Sequence, residues 1–224
     1  GYLLKQAVRN RGTKLIVCDP RRIDLVEFAD LWLQQRNGSD VALLSGLQHI
    51  ILKEGWEASA YIAERTENFQ EYRQSMEWFT PERVSALTGV PQDKLYAAAR
   101  LFAQGGRGAI YYCMGVTQHS HGVDNVKAVA NLSLITGNLG FEGGGVNPLR
   151  GQSNVQGACD MGCLPNVFPG YQPVTSPEVQ DKFAQRWGSR PTSLKPGLTA
   201  TAMIPAAGDQ IKALYIMGEN PMVS

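Results

Sequence analysis

Residues 2–22 read YLLKQAVRNRGTKLIVCDPRR. Leu3, Leu4, Ala7 and Val8 recur at helical spacing, which predicts a helix from Tyr2 to Arg11 with Gly12 as its C-terminal stop. Lys14-Leu-Ile-Val-Cys18 is short and β-branched and reads as a buried strand, broken by Asp19-Pro20-Arg21-Arg22. Helix, glycine, strand and polar turn make the second half of a βαβ unit, so the fold class is α/β. The strand that should open this unit is missing, and the chain starts at Gly1 without Met. It ends at Met222-Val223-Ser224 directly after a strand-like run, and both ends read as cut from something longer.

Working outward, Asp30 to Gln34 alternates like a second short strand, and Asn37-Gly38-Ser39-Asp40 is a turn. Ser39 is placed to cap a helix running through Lys53 and closed by Gly55. Helical periodicity returns at 56–65, 68–76, 81–88 and 92–103. Ala109 to Met114 reads as a buried strand, Gly115 to His119 as a polar loop, and Val123 to Thr136 as a helix. The stretch 137–151, GNLGFEGGGVNPLRG, reads as a glycine-rich loop. A short helix is expected within 152–162 and another near 177–187, followed by a loose segment with Pro191, Pro196 and Pro205. The last strand is expected over Ile211 to Met217, ahead of Gly218-Glu219-Asn220-Pro221. Three strands therefore end in polar loops, after Cys18, Met114 and Met217. In an open parallel sheet, ligands sit outside the carboxyl ends of strands, so a nucleotide-like ligand is expected. It is not NAD by the usual fingerprint, because no G-x-G-x-x-G follows a strand, and there is no phosphate loop ending in Lys-Ser or Lys-Thr.

Composition narrows the classes further. Hydrophobic residues form 43% of the 224 and charged residues 18%, which is enough for a core and argues against wholesale disorder. The net charge of +1 gives no global field for nucleic acid or anionic membrane. No apolar run reaches the about 18 residues of a membrane span. The 24 glycines exceed the usual share of about 7%. Cys18 and Cys113 lie in apolar runs and read as buried thiols. Cys159 and Cys163 are spaced C-x3-C with no second pair, which is neither a zinc nor an iron–sulfur pattern, so no metal ligand is assigned.

Several loop residues carry recognisable chemistry. Asp19 and Asp40 near strand ends can each accept two parallel hydrogen bonds, as guanine N1–H and N2–H2 would offer, and both equally suit turns or caps. Arg21 and Arg22 read either as a phosphate clamp or as a solvated pair. Arg150 stands in a loop whose other charge is Glu142, and its planar fork suits a small anion. Gln152, Asn154 and Gln156 follow as neutral amides. His119 and His121, two apart, read as satisfied loop histidines.

The blocks Cys18-Asp-Pro-Arg-Arg22, Asn37-Gly-Ser-Asp-Val-Ala-Leu43, Met114-Gly-Val-Thr-Gln118, Leu134-Ile-Thr-Gly-Asn-Leu-Gly140 and Gly145 to Gly162 together resemble one family. It is the molybdopterin oxidoreductases and, within them, the catalytic alpha subunits of formate dehydrogenases. The run Val146 to Gly162, continued by Leu164 to Gln172, resembles formate dehydrogenases specifically, whereas the first three blocks are general to enzymes carrying two molybdopterin guanine dinucleotides. Ser39 stands where relatives often have Thr, and Asn37 where many have Pro.

The resemblance implies residues 1–150 as a parallel-sheet, Rossmann-like domain for one guanine dinucleotide, and 151–224 as part of a second, related α/β domain. It implies Asp19, Arg21, Gly38 and Asp40 at a guanosine end, and Met114, Gly115 and Gln118 along the pterin-pyrophosphate side. Arg150 would orient formate, Gln152 would approach the pterin, and Gly218, Glu219 and Asn220 would hold the second dinucleotide. The implied cofactor is bis-molybdopterin guanine dinucleotide with molybdenum or tungsten, and a 4Fe–4S cluster is expected in an N-terminal part outside this chain. The implied partners are formate, the remainder of the catalytic subunit and electron-transfer subunits, in the cytoplasm or the periplasm. The implied reaction is formate oxidation to CO2, with the isolated piece inactive. The rival readings are an assimilatory nitrate reductase and a non-catalytic homologue like the large iron–sulfur subunit of respiratory complex I.

Overall fold

The computed structural model describes residues 1–190 and 193–220; Pro191, Thr192 and the end from Pro221 to Ser224 lie outside the described residues. The chain forms two compact units, Gly1–Leu149 and Arg150–Ser224.

In the first unit, α1 (Tyr2–Arg11) stops at Gly12, whose φ of 68° is the left-handed conformation expected of a helix-ending glycine. The strand β1 (Ile16–Cys18) follows. A 3₁₀ turn (Asp24–Phe28) leads into β2 (Leu31–Leu33), which pairs parallel to β1 with Ile16 opposite Leu31 and Cys18 opposite Leu33. Then come α2 (Asp40–Lys53), α3 (Ser59–Arg65), α4 (Phe69–Met76), α5 (Pro81–Thr88) and α6 (Gln92–Gln104). The strand β3 (Ala109–Tyr112), the short α7 (Met114–Thr117), α8 (Gly122–Ile135) and β4 (Gly145–Pro148) complete the unit. The result is a mixed α/β structure with small parallel sheets.

Helix α2 organises the core. Its apolar residues encircle the axis instead of forming one stripe, as in a helix buried on all sides. Leu43, Leu47, Ile50 and Ile51 pack with Leu33 from β2, Val84 from α5, Leu95 and Ala98 from α6 and Leu132 from α8. Gly46 is required there: a Cβ at this position would lie 2.7 Å from both methyl groups of Val84. Gln48 bridges helices, donating to the carbonyls of Leu44 (2.9 Å) and Ala128 (3.0 Å) while accepting from the Tyr72 hydroxyl.

The second unit contains α9 (Val155–Asp160), the antiparallel pair β5 (Val167–Phe168) and β6 (Gln172–Pro173), α10 (Pro177–Trp187) and the short α11 (Ala200–Met203). Ser176 caps α10, its hydroxyl accepting from the Val179 N–H at 3.3 Å, with Pro177 at the first helical position. Phe168, Phe183 and Trp187 form a ring cluster with centroids 4.8–5.7 Å apart.

Four sequence expectations are corrected. The strand expected to reach Met114 ends at Tyr112, and Met114–Thr117 is a helical turn instead of a loop. It is held by Asn125, whose Nδ2 donates to the Val116 carbonyl at 2.8 Å from α8, a contact local sequence does not announce. Residues 145–148, read as loop, are a strand, because β3 offers a parallel partner in register from Ala109–Gly145 to Tyr112–Pro148. Ile211 to Met217 is not a strand. Apart from one bridge between Ala207 and Ile211 it has no ladder partner among the described residues, and Leu214 to Met217 are exposed. Cys18 is exposed at the end of β1 instead of buried.

Candidate functional site

The parallel pairing of β1 and β2 puts both carboxyl ends at one edge, and this is where Asp19 and Asp40 come together. Asp19 follows β1 directly. Its N–H donates to the Leu33 carbonyl at 3.3 Å, and its carbonyl accepts from Trp32 Nε1 at 2.9 Å, so the turn is tied to β2. Its Oδ1 accepts the Arg21 N–H at 2.8 Å, an Asx turn that holds the carboxylate still. The Arg21 side chain is exposed, with Nε 4.0 Å from the same oxygen.

Asp40 is the first residue of α2, where a carboxylate favours the positive end of the helix dipole. Gly38 makes the preceding turn with φ of 78° and open space where a Cβ would project, so backbone is accessible there. Ser39 occupies the cap position, but its hydroxyl donates back to the Arg36 carbonyl at 2.6 Å and does not cap the helix. Gln35 Nε2 donates to Asp40 Oδ1 at 3.3 Å, and His119 Nε2 stands 3.8 Å from Asp40 Oδ2. The same His119 nitrogen is 2.9 Å from the Gly115 carbonyl, which can only accept, so this nitrogen carries the proton. His119 thus stands beside Asp40 while its N–H holds the α7 turn that carries Met114 and Gly115, and Gln118 closes that turn with its N–H on the Met114 carbonyl at 2.9 Å.

Cys18 lies between the two carboxylates electrostatically. Desolvation by protein around its sulfur, then the charges of Asp40 and Asp19, push its thiol up to about 12, although the residue keeps exposed surface. It therefore stays protonated at neutral pH and is no nucleophile. The hollow lined by Thr13, Lys14, Phe28 and Asp30 lies at the amino ends of these strands, away from the carboxylates.

In the second unit, Arg150 is exposed and its Nη2 lies 3.5 Å from Gln156 Oε1. Gln156 Nε2 contacts both Asp160 Oδ1 and the Tyr171 hydroxyl at 3.0 Å, so a hydrogen-bonded chain stands behind the guanidinium. Gln152 is exposed in the turn before α9. Gly218, with φ of 70°, and then Glu219 and Asn220 lie in an irregular exposed stretch; Pro221 of that block is outside the described residues. The structure thus gathers Asp19, Asp40 and the α7 turn in one unit and places Arg150, Gln152 and Gly218–Asn220 in the other. Sequence reading missed Gln35, while His119 is the satisfied loop histidine it expected, bonded to the Gly115 carbonyl. The available signal was period two: Leu31, Leu33 and Gln35 share one strand face, so an amide continues an apolar row. Among the described residues no group of three or more His, Cys, Asp or Glu side chains could hold a metal, and no helix is long and apolar enough to cross a membrane.

A carboxylate following β1 and another opening α2, held by backbone and amide donors beside an open glycine, stand where open α/β sheets place their ligands. The family model for molybdopterin oxidoreductases matches residues 1–224, and the chain belongs to that family. Similar curated proteins include the alpha subunit of formate dehydrogenase 1 of Methanococcus maripaludis, 47% identical over 96% of this chain and 32% of that protein. Formate dehydrogenase H of Escherichia coli is 45% identical over 96% of this chain and 30% of its own length. The chain spans about a third of the length of these relatives. Among solved structures, acetylene hydratase from Pelobacter acetylenicus is similar with a TM-score of 0.59 and 29% identity, covering 61% of this chain and 19% of that one.

Proposed function

We propose that this chain is the central, cofactor-holding portion of the catalytic subunit of a molybdenum- or tungsten-dependent formate dehydrogenase. The observation that carries the reading is the similarity of this chain to formate dehydrogenases over 96% of its length, with Asp19 directly after β1 and Asp40 opening α2 in the same unit. The residues present fit a guanine dinucleotide: two fixed carboxylates accept from the base, and Gly38 lets backbone approach it. On this reading the first unit is one guanine-dinucleotide domain of Rossmann-like type. Asp19, Arg21, Gly38 and Asp40 hold its guanosine, and Met114, Gly115 and Gln118 line the pterin-pyrophosphate side. Gln152, Gly218, Glu219 and Asn220 serve the pterin and the second dinucleotide, in part of a second such domain. A 4Fe–4S cluster and electron-transfer subunits belong to the rest of the enzyme.

A bound metal–dithiolene cofactor would supply the acceptor for the two electrons that formate loses, with one proton, on becoming CO2. Arg150 binds the carboxylate of formate through its planar fork and fixes how the C–H bond is presented, which is a contribution of orientation. Gln156 steadies the guanidinium from behind, itself held by Asp160 and Tyr171.

The test uses the full-length protein. Formate oxidation with a dye acceptor, together with molybdenum, tungsten and pterin content, should all be positive. Nitrate reduction without formate oxidation would replace the reading with a nitrate reductase, and absence of pterin with a non-catalytic homologue. Asp40→Ala should weaken retention of the dinucleotide by about 1.5–3 kcal/mol, the worth of a charge-assisted acceptor. Guanosine released per pterin from the purified variant measures it.

A further inference from the structure

Gln35 is an expensive residue for the fold. It is 5% exposed and follows the apolar row of β2, and its Oε1 is buried with no hydrogen-bond partner. An apolar side chain of similar length would avoid that unsatisfied carbonyl. What the amide supplies is one N–H on Asp40 Oδ1 at 3.3 Å. The other oxygen, Oδ2, accepts nothing from His119: the ring's Nε2 is 3.8 Å away and its N–H is given to the Gly115 carbonyl at 2.9 Å. An ionised carboxylate has about four acceptor sites, so both oxygens keep capacity for a further donor.

We propose that Gln35 is a positioning residue that holds the Asp40 carboxylate so that it accepts from two adjacent N–H groups at once, which strengthens the preference of the site for guanine over a purine that lacks the 2-amino group. The inference rests on the reading of Asp40 as a guanine acceptor. A carboxylate free to rotate meets both donors of guanine only part of the time. One held through Oδ1 keeps its second oxygen in line for the 2-amino group, and the hypoxanthine base, with N1–H alone, gains nothing from it.

The full-length protein, purified free of cofactor, is titrated with GDP and with IDP, which differ by the 2-amino group. Wild type should bind GDP about 10- to 100-fold more tightly, the worth of one charge-assisted hydrogen bond. Gln35→Met removes the N–H and the orphan carbonyl together. It should bring the GDP/IDP ratio within about threefold while leaving the thermal midpoint unchanged or raised, a combination that a purely structural glutamine does not produce. Gln35→Leu, a shorter apolar replacement, should act in the same direction and serves if Gln35→Met does not fold. A wild-type ratio in the folded variant overturns the positioning role and leaves the guanine reading standing. A wild-type protein that does not distinguish GDP from IDP overturns the guanine reading of Asp40 and this inference with it.

Discussion

Helix α2 of the first unit and α10 of the second are comparable in length, 14 and 11 residues, yet eight residues of α2 are buried and only Gln180 and Phe183 of α10 are. Every buried apolar residue except Phe183 precedes the second unit. The first unit is built around a core, whereas the second is held by one ring cluster and by single side chains that tie loops. Gln180, for example, donates to the carbonyls of Val174 (3.0 Å) and Ser193 (2.6 Å). The difference bears on function. Asp19 and Asp40 stand at the ends of elements that a dense core holds in place, which suits a site that must keep a large cofactor. Arg150, Gln152 and Gly218 stand on exposed, lightly packed segments, which open at lower cost.

The largest effect expected from this contrast is on stability. Ile50→Ala empties a fully buried position in the first unit and should cost about 2–5 kcal/mol, read by chemical denaturation. Phe183→Ala should cost less, because its partner Trp187 is already half exposed; equal losses would break the comparison. Next is Arg150→Lys in the full-length enzyme. If the fork binds formate, kcat/KM should fall about 30- to 1000-fold, or roughly 2–4 kcal/mol, with metal and pterin content unchanged. Arg150→Ala should fall further, and near-normal turnover in it would return Arg150 to the status of a solvated loop residue.

A smaller effect sharpens the comparison at matched chemistry. Thr80 and Ser176 both cap a helix that begins with Pro, one in each unit. Each change to Ala should cost about 0.5–2 kcal/mol. Hydrogen exchange should register Thr80→Ala only as a shift of global unfolding, whereas Ser176→Ala should speed exchange locally in α10.

The smallest is a pH effect at the amino ends of the first sheet. The Lys14 ammonium at 2.8 Å, and then the Leu15 N–H at 2.9 Å, hold the Asp30 carboxyl below its usual range. A depressed carboxyl pKa contributes stability above the unfolded value and loses it as pH falls through the folded one. The pair is partly exposed, so the contribution is about 0.2–1 kcal/mol. Asp30→Asn should therefore lower the denaturation midpoint slightly at neutral pH, and the gap from wild type should close between about pH 5 and about pH 2.

The sequence by itself determined the helices closely. Periodicity, Pro81, Pro177 and Gly12 set α1, α5 and α10, because a helix satisfies its backbone within a few residues and its signals are local. It also determined which carboxylates and which arginine matter to the family's blocks, since those are identities and need no geometry. The runs that became β1, β2 and β3 were legible too, but only the tertiary structure decided which further stretches pair. Residues 145–148 became β4 because Ala109–Tyr112 lies alongside, while the more apolar Leu214–Met217 stayed unpaired among the described residues, and a strand exists only through a distant partner. The same reason hid Gln35, whose significance is a hydrogen bond to Asp40 that packing at the end of β2 creates.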